Sequence, residues 1–213
     1  MSTTSTSEAA ELARLGSATV YEAGGRRGYV DADLVQVVPG SAIAGPARTV
    51  RCGQDDNLMV HAVMATVQPG DVLVLTMPEP AAVALVGELL ATQAKARGVA
   101  GILVDASVRD ADQLAELGLP IWARWVRIRG ATKEIPGEID VPVVVGGAAV
   151  GPGDMLVLDR DGVAVVERER VGEVLEASRQ REQREIVKRG RLEAGELSWE
   201  IDGLREQAEE GRT

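Results

Sequence analysis

The chain has no phenylalanine, and aromatic residues make up 2% of its 213 positions. Its core therefore has to be built from Val, Leu, Ile and Ala. There is one cysteine, Cys52, which excludes an intrachain disulfide and any cysteine-based metal cage. A reduced, cytoplasmic setting fits that composition. There is one histidine, His61, so no cluster of imidazoles is available to a metal. No apolar run reaches the length of a membrane span. Basic surface is also short. The net charge of -10 argues against a protein that grips the phosphate backbone of nucleic acid, and against anionic membranes. A small anionic substrate is still compatible, because one arginine and a divalent cation reverse the sign locally.

What is present is aliphatic residues, which contribute to a hydrophobic share of 45%, and 24 glycines. Residues 1–7 are rich in Ser and Thr and lack the apolar stretch of a signal peptide, so they read as a frayed tail. Glu8–Leu15 reads as a short helix, and Ser17 and Thr19 as candidate caps for a second one. Leu34–Val38 and Ala47–Cys52 read as strands separated by Pro39-Gly40 and Gly45-Pro46 turns. Asp55-Asp56-Asn57 reads as the cap of a helix over Leu58–Thr66, and Pro69-Gly70-Asp71 as a turn into a strand over Val72–Thr76.

A helix over Gly87–Arg97 ends at Gly98, and Gly101–Asp105 follows as a buried strand. This is a βαβ unit. The strand is expected to break into a turn over Ala106–Asp110, with Asp110–Leu117 as the next helix. Short strands then fill the second half. Val171–Leu197 reads as a long charged helix, and the acidic segment after Gly195 as an arm on a neighbouring subunit or a frayed end.

Two phrases carry chemistry. Arg109-Asp110 sits past a strand end, where ligands of α/β proteins usually lie. The arginine offers a planar fork of donors to a carboxylate or keto oxygen. The aspartate offers a hard oxygen to Mg²⁺ or Mn²⁺. The same pair also reads as a surface arginine followed by a helix-capping aspartate. Gly87-Glu88-Leu89-Leu90 opens a helix, where backbone N–H groups and the helix dipole favour a bound anion. A carboxylate at Glu88 beside an anion makes sense with a cation between them. Glu88 also reads as an ordinary first-turn acid. His61 reads as a core or surface residue rather than a ligand. No P-loop, dinucleotide fingerprint or Ser-His-Asp set is present.

Further phrases join these two: Gly45-Pro46-Ala47-Arg48-Thr49-Val50, Pro69-Gly70-Asp71-Val72-Leu73-Val74, Gly98-Val99-Ala100-Gly101, Asp105 through Asp110, and Asp159-Arg160-Asp161-Gly162-Val163. With them, the span from about Leu12 to Leu197 resembles the RraA-like family, which includes aldolases of 4-hydroxy-4-methyl-2-oxoglutarate and 4-carboxy-4-hydroxy-2-oxoadipate. The resemblance implies an α/β fold, an αββα sandwich related to swivelling phosphohistidine-type domains, over residues 8–170. It implies a C-terminal helix and arm (171–213) packed on a neighbouring subunit of a homotrimer or hexamer.

It also implies a class II pyruvate aldolase acting on a small 2-oxo acid, with oxaloacetate decarboxylation as a side activity. Asp110 would be the carboxylate for Mg²⁺ or Mn²⁺, and Arg109 would contact pyruvate. Gly87, Glu88, Leu89 and Leu90 would cradle its carboxylate, with Glu88 holding a water on the metal. Glu185, or alternatively Glu182, would reach a neighbour's site. Asp105 is left as a turn former. Ala106 stands where glycine is common, and Trp125 follows Ala123-Arg124 where a glycine is frequent. The alternative function is that of relatives that inhibit an endoribonuclease by binding it.

Overall fold

Short aliphatic runs bounded by glycine and proline build the sheet, and helices with small apolar faces cover it. The computed structural model describes residues 3–210. Helices α1 (Thr3–Leu15) and α2 (Ser17–Ala23) open it, followed by strands β1 (Val35–Gln36) and β2 (Ile43–Arg51). Next come α3 (Leu58–Val63), β3 (Val72–Thr76), β4 (Ala84–Val86), α4 (Glu88–Ala96), β5 (Gly101–Val108), α5 (Ala111–Leu117) and β6 (Ile121–Val126). The second half holds β7 (Glu138–Ile139), β8 (Val143–Val145), β9 (Ala148–Val150), β10 (Met155–Leu158) and β11 (Val163–Val166). It closes with α6 (Val171–Glu193) and the short α7 (Ser198–Ile201) and α8 (Leu204–Glu210).

The first helix starts at Thr3, so it takes in most of the segment read as a tail, while Met1 and Ser2 lie outside the described residues. The start of α2 is capped from a distance. Asp159 accepts bonds from the Ser17 amide at 2.7 Å and from Ser17 Oγ at 2.6 Å, so neither Ser17 nor Thr19 acts as the cap.

The main sheet runs β1-β6-β5-β3-β2-β10-β11. Its centre is parallel (β2, β3, β5, β6), and β10 runs antiparallel to both β2 and β11. At β2 the sheet changes partners. Ile43–Pro46 pair with β10, and Ala47–Arg51 with β3. Gly45-Pro46, expected as a turn, therefore lies inside a strand. The missing N–H of proline is tolerated where pairing changes hands. Gly45 is needed because a Cβ there would collide with the Gly70 carbonyl.

Alternation along the strands makes four layers. Leu73 and Leu75 of β3 face a core shared with Val60 of α3, Leu90 of α4 and Leu114 of α5. Val72 and Val74 face the opposite way, onto Leu156 and Leu158 of β10 and Val163 and Val165 of β11. The outer faces of β10 and β11 (Met155, Val157, Ala164, Val166) pack on Leu12, Val20 and Val174 from α1, α2 and α6. The order is helix, sheet, sheet, helix, the αββα sandwich expected. The start of α6 belongs to this body, with Val171, Val174, Leu175 and Ser178 buried, whereas Ile186 and Val187 further along are exposed. Among the described residues no helix is long and apolar enough to cross a membrane.

Candidate active site

β5 delivers the acid-bearing stretch, but it runs past the expected break and ends at Val108. Ala106 is a fully buried strand residue, not a turn residue. Asp105 also lies inside the strand, 3% exposed, in an ion pair with Arg124 of β6. Burial pushes its carboxyl above the ordinary value, and Arg124 opposes the rise. It is thus a satisfied sheet residue rather than a turn former. The pair sits where the β5–β6 register slips, between Val104 and Ser107. Ser107 Oγ donates to the Trp125 carbonyl there at 2.9 Å. Trp125 is not among the cleft residues described next.

Past Val108 the chain is tied back to β4, with the Arg109 amide donating to the Val86 carbonyl at 3.1 Å. Asp110 then takes a left-handed backbone (φ 62°, ψ 43°). Aspartate visits this region more readily than most residues, at some cost. It occupies the position before α5, where its carbonyl accepts from the Leu114 amide at 2.9 Å, yet its side chain makes no cap bond to that helix. Its Oδ2 instead accepts from the Glu88 amide at 3.1 Å, at the start of α4. The reading of Asp110 as a cap for its own helix is thereby replaced by a link between two helix starts.

Arg109 Nε lies 3.6 Å from the same oxygen. A Cβ on Gly87 would come within 2.6 Å of Asp110 Oδ2 and 3.0 Å of Arg109 Nε. On the far side, a Cβ on Gly130 would come within 2.8 Å of Arg109 Nη1. Two glycines therefore form the slot that holds this guanidinium.

The amides of Leu89 and Leu90 are in the first turn of α4, where helical N–H groups have no intrahelical partner. Glu88 projects beside them, its Oε1 accepting from Thr92 Oγ1 at 3.1 Å. Gly87, Glu88, Leu89, Leu90, Arg109 and Asp110 together form one wall of a cleft of about 220 Å³. Asn57, His61, Ala131 and Lys133 also line it. A hollow of about 250 Å³ between α2, β11 and the start of α6 is lined by Arg27, Arg170 and Glu167 and takes in none of Gly87–Leu90, Arg109 or Asp110.

The residues of the second group were not read from the sequence as site residues. The sequence puts Asn57 in a helix cap, but it is Asp56 that bonds the Leu58 amide, at 2.7 Å. Asn57 Nδ2 donates to the Leu85 carbonyl at 2.9 Å. His61 is exposed at the cleft, and its pKa is lowered by burial of the ring and then by the charge of Lys133.

Glu185 does not join the cleft within one chain. It pairs with Arg181 on α6 at 2.9 Å. Glu182 is engaged by both guanidinium nitrogens of Arg14, at 2.6 and 2.9 Å.

Among the described residues no three His, Cys, Asp or Glu side chains gather around one point. Asp110, with Glu88 beside it, is a sparse set of hard oxygens. Such a set fits Mg²⁺ or Mn²⁺, which keep several waters and need one or two carboxylates.

A cleft past the carboxyl ends of parallel strands thus brings together helix-start amides, an arginine and hard carboxylates, groups with the chemistry to hold a small anion and a divalent cation. Residues 5–165 match the RraA-like family, described as Aldolase/RraA, and the chain belongs to it. A protein of Halalkalibacterium halodurans with the provisional name 4-hydroxy-4-methyl-2-oxoglutarate aldolase is 36% identical over 140 residues, 66% of this chain and 67% of that one. Streptomyces coelicolor RraAS2, an unusual member of the RNase ES inhibitor RraA family, superposes with a TM-score of 0.75 at 35% identity, covering 86% of this chain and 96% of its own. An uncharacterised Pseudomonas syringae protein gives a TM-score of 0.79 at 25% identity, over 90% of this chain and 94% of its own.

Proposed function

We propose that the chain is a divalent-metal-dependent pyruvate aldolase of class II. It cleaves 4-hydroxy-2-oxo acids such as 4-hydroxy-4-methyl-2-oxoglutarate or 4-carboxy-4-hydroxy-2-oxoadipate to pyruvate and a second 2-oxo acid. The observation that carries this reading is the meeting of Asp110, Arg109 and the start of α4 on one cleft wall. The name of the Halalkalibacterium relative supports it.

The first-turn amides of Leu89 and Leu90 bind the C1 carboxylate. Arg109 donates to the C2 oxygen, where negative charge develops as the C3–C4 bond breaks. Asp110, with Glu88 alongside, would hold Mg²⁺ or Mn²⁺, which when bound would supply Lewis acidity to the reaction. The C4 hydroxyl loses a proton as its carbon becomes a carbonyl, and a proton is returned to C3. Glu88 orients the water that carries this proton, and Glu185 of a neighbouring copy in a trimer or hexamer assists. The same enolate chemistry decarboxylates oxaloacetate. A lysine Schiff base is not required.

A second reading, a regulator that binds an endoribonuclease, draws on the likeness to RraAS2. One assay separates them. Pyruvate release from 4-hydroxy-4-methyl-2-oxoglutarate is expected with Mg²⁺, and is expected to be lost with chelator and in Asp110→Ala. Absence of metal-dependent turnover of any such acid, or of oxaloacetate, would overturn the aldolase reading.

A further inference from the structure

We propose that Lys133 is the specificity-determining residue of this cleft, receiving a second carboxylate carried on C4 of the substrate. The inference rests on the aldolase reading and adds to it the residue that selects among 4-hydroxy-2-oxo acids. Lys133 lines the same cleft as Arg109, Asp110 and the start of α4. The ends of the substrate are thereby divided. C1 and C2 are taken by the amides and Arg109, which leaves the C4 substituents to the remaining lining.

Lys133 is not a loosely hung surface lysine. Both of its chain neighbours are pinned. Thr132 donates its amide to the Asp55 carbonyl at 3.0 Å, and its own carbonyl accepts from the Asn57 amide at 2.9 Å. Asp56, with no solvent exposure, accepts from Thr132 Oγ1 at 2.7 Å, the Glu134 amide at 2.6 Å and the Ile135 amide at 3.1 Å. Upstream, the Arg129 carbonyl accepts from the Ala84 amide at 2.7 Å, which anchors the segment to β4. The start of α3 and the loop of Lys133 are thus one clamped unit, and the unit sets the lysine at the cleft.

Its charge is also unanswered. The chain has three lysines. Lys95 donates to the Leu117 carbonyl at 2.6 Å, and Lys188 pairs with Asp202 at 2.5 Å. Lys133 has neither a carboxylate nor a carbonyl partner among the described residues, in a protein where acids outnumber bases by 33 to 23. A held cation at a cleft that binds an anionic substrate is placed for a carboxylate of that substrate. His61 is the weaker competitor for that anion, because burial of its ring and the charge of Lys133 lower its pKa.

The test compares two substrates, 4-hydroxy-4-methyl-2-oxoglutarate and 4-hydroxy-4-methyl-2-oxopentanoate, in which a methyl replaces the second carboxylate. For Lys133→Met we expect KM for the dicarboxylate to rise about 30-fold, with kcat within about 3-fold, while kcat/KM for the pentanoate changes by less than about 3-fold. Lys133→Arg is expected to recover most of the dicarboxylate selectivity. An equal fall on both substrates, or a change in oligomeric mass accompanying it, would overturn the inference and make Lys133 a structural or intersubunit residue. Wild type turning over neither substrate would overturn the aldolase reading as well.

Discussion

Asp105 lies within β5 and Asp110 just beyond it, and each has an arginine beside it. Asp105 is sealed. Its side chain is 4% exposed, and Arg124 reaches its Oδ1 across the β5–β6 pairing. Asp110 is open. Its side chain is 42% exposed, its backbone is left-handed, and Arg109 stands off at 3.6 Å. One oxygen is used to fix the start of α4, and the carboxylate faces a cleft. The same pair of residue types is thus a sheet fastener in one place and, in the proposed function, a ligand platform in the other. What separates them is how completely the protein satisfies the charge.

Substitutions at the two pairs should therefore fail differently. The largest effect is expected at the open pair. Asp110→Asn, which tolerates the left-handed backbone, should lower kcat/KM for pyruvate release by about 10³-fold. Arg109→Lys should lower kcat by about 10²-fold, as for loss of a donor to a developing oxyanion. Neither should shift the melting temperature by more than a few degrees. At the closed pair the order reverses. Asp105→Asn leaves Arg124 without its counter-charge and is expected to cost about 3 kcal/mol, lowering Tm by roughly 6–12 °C. The KM of the remaining folded enzyme should stay within about 3-fold. A loss of activity without a loss of stability in Asp105→Asn would break the comparison.

A smaller effect sharpens it. Burial raises the pKa of Asp56, but bonds from Glu134, Thr132, Leu58 and Ile135 outweigh burial and hold it at about 2. The folded value lies below the ordinary 3.8. Its contribution to stability is therefore complete above about pH 4 and lost as pH falls toward 2. Acid unfolding followed by circular dichroism should show this limb in wild type and a flatter one in Asp56→Asn.

Much of the frame was legible locally. The strand over Val72–Thr76, the helix after Gly87 and the buried run from Gly101 follow from aliphatic runs and their glycine boundaries. The turn at Pro69-Gly70-Asp71 was also legible, and Pro152-Gly153-Asp154 has the same sequence. In each, the glycine is left-handed and the aspartate accepts an amide bond from three residues back. β4 was not legible, because three residues carry no period and its strand character comes from pairing with Ser107 and Val108. The continuation of β5 through Asp105 was hidden because the partner that makes an acid tolerable there, Arg124, is on another strand.

The cleft wall of Gly87–Leu90, Arg109 and Asp110 was read from two short phrases. The second group of lining residues was not, because Asn57, His61 and Lys133 meet only through the Asp56 clamp. Gly130 gave no local signal either. Its reason for being glycine is a guanidinium from a distant strand end.

The central claim is that Asp110, and not Asp105, anchors the metal. Calorimetric titration of Mn²⁺ into wild type, Asp110→Asn and Asp105→Asn tests it most directly. Equal binding by wild type and Asp105→Asn, with binding weakened at least about 100-fold in Asp110→Asn, is the predicted result. Undiminished Mn²⁺ binding by Asp110→Asn would contradict it.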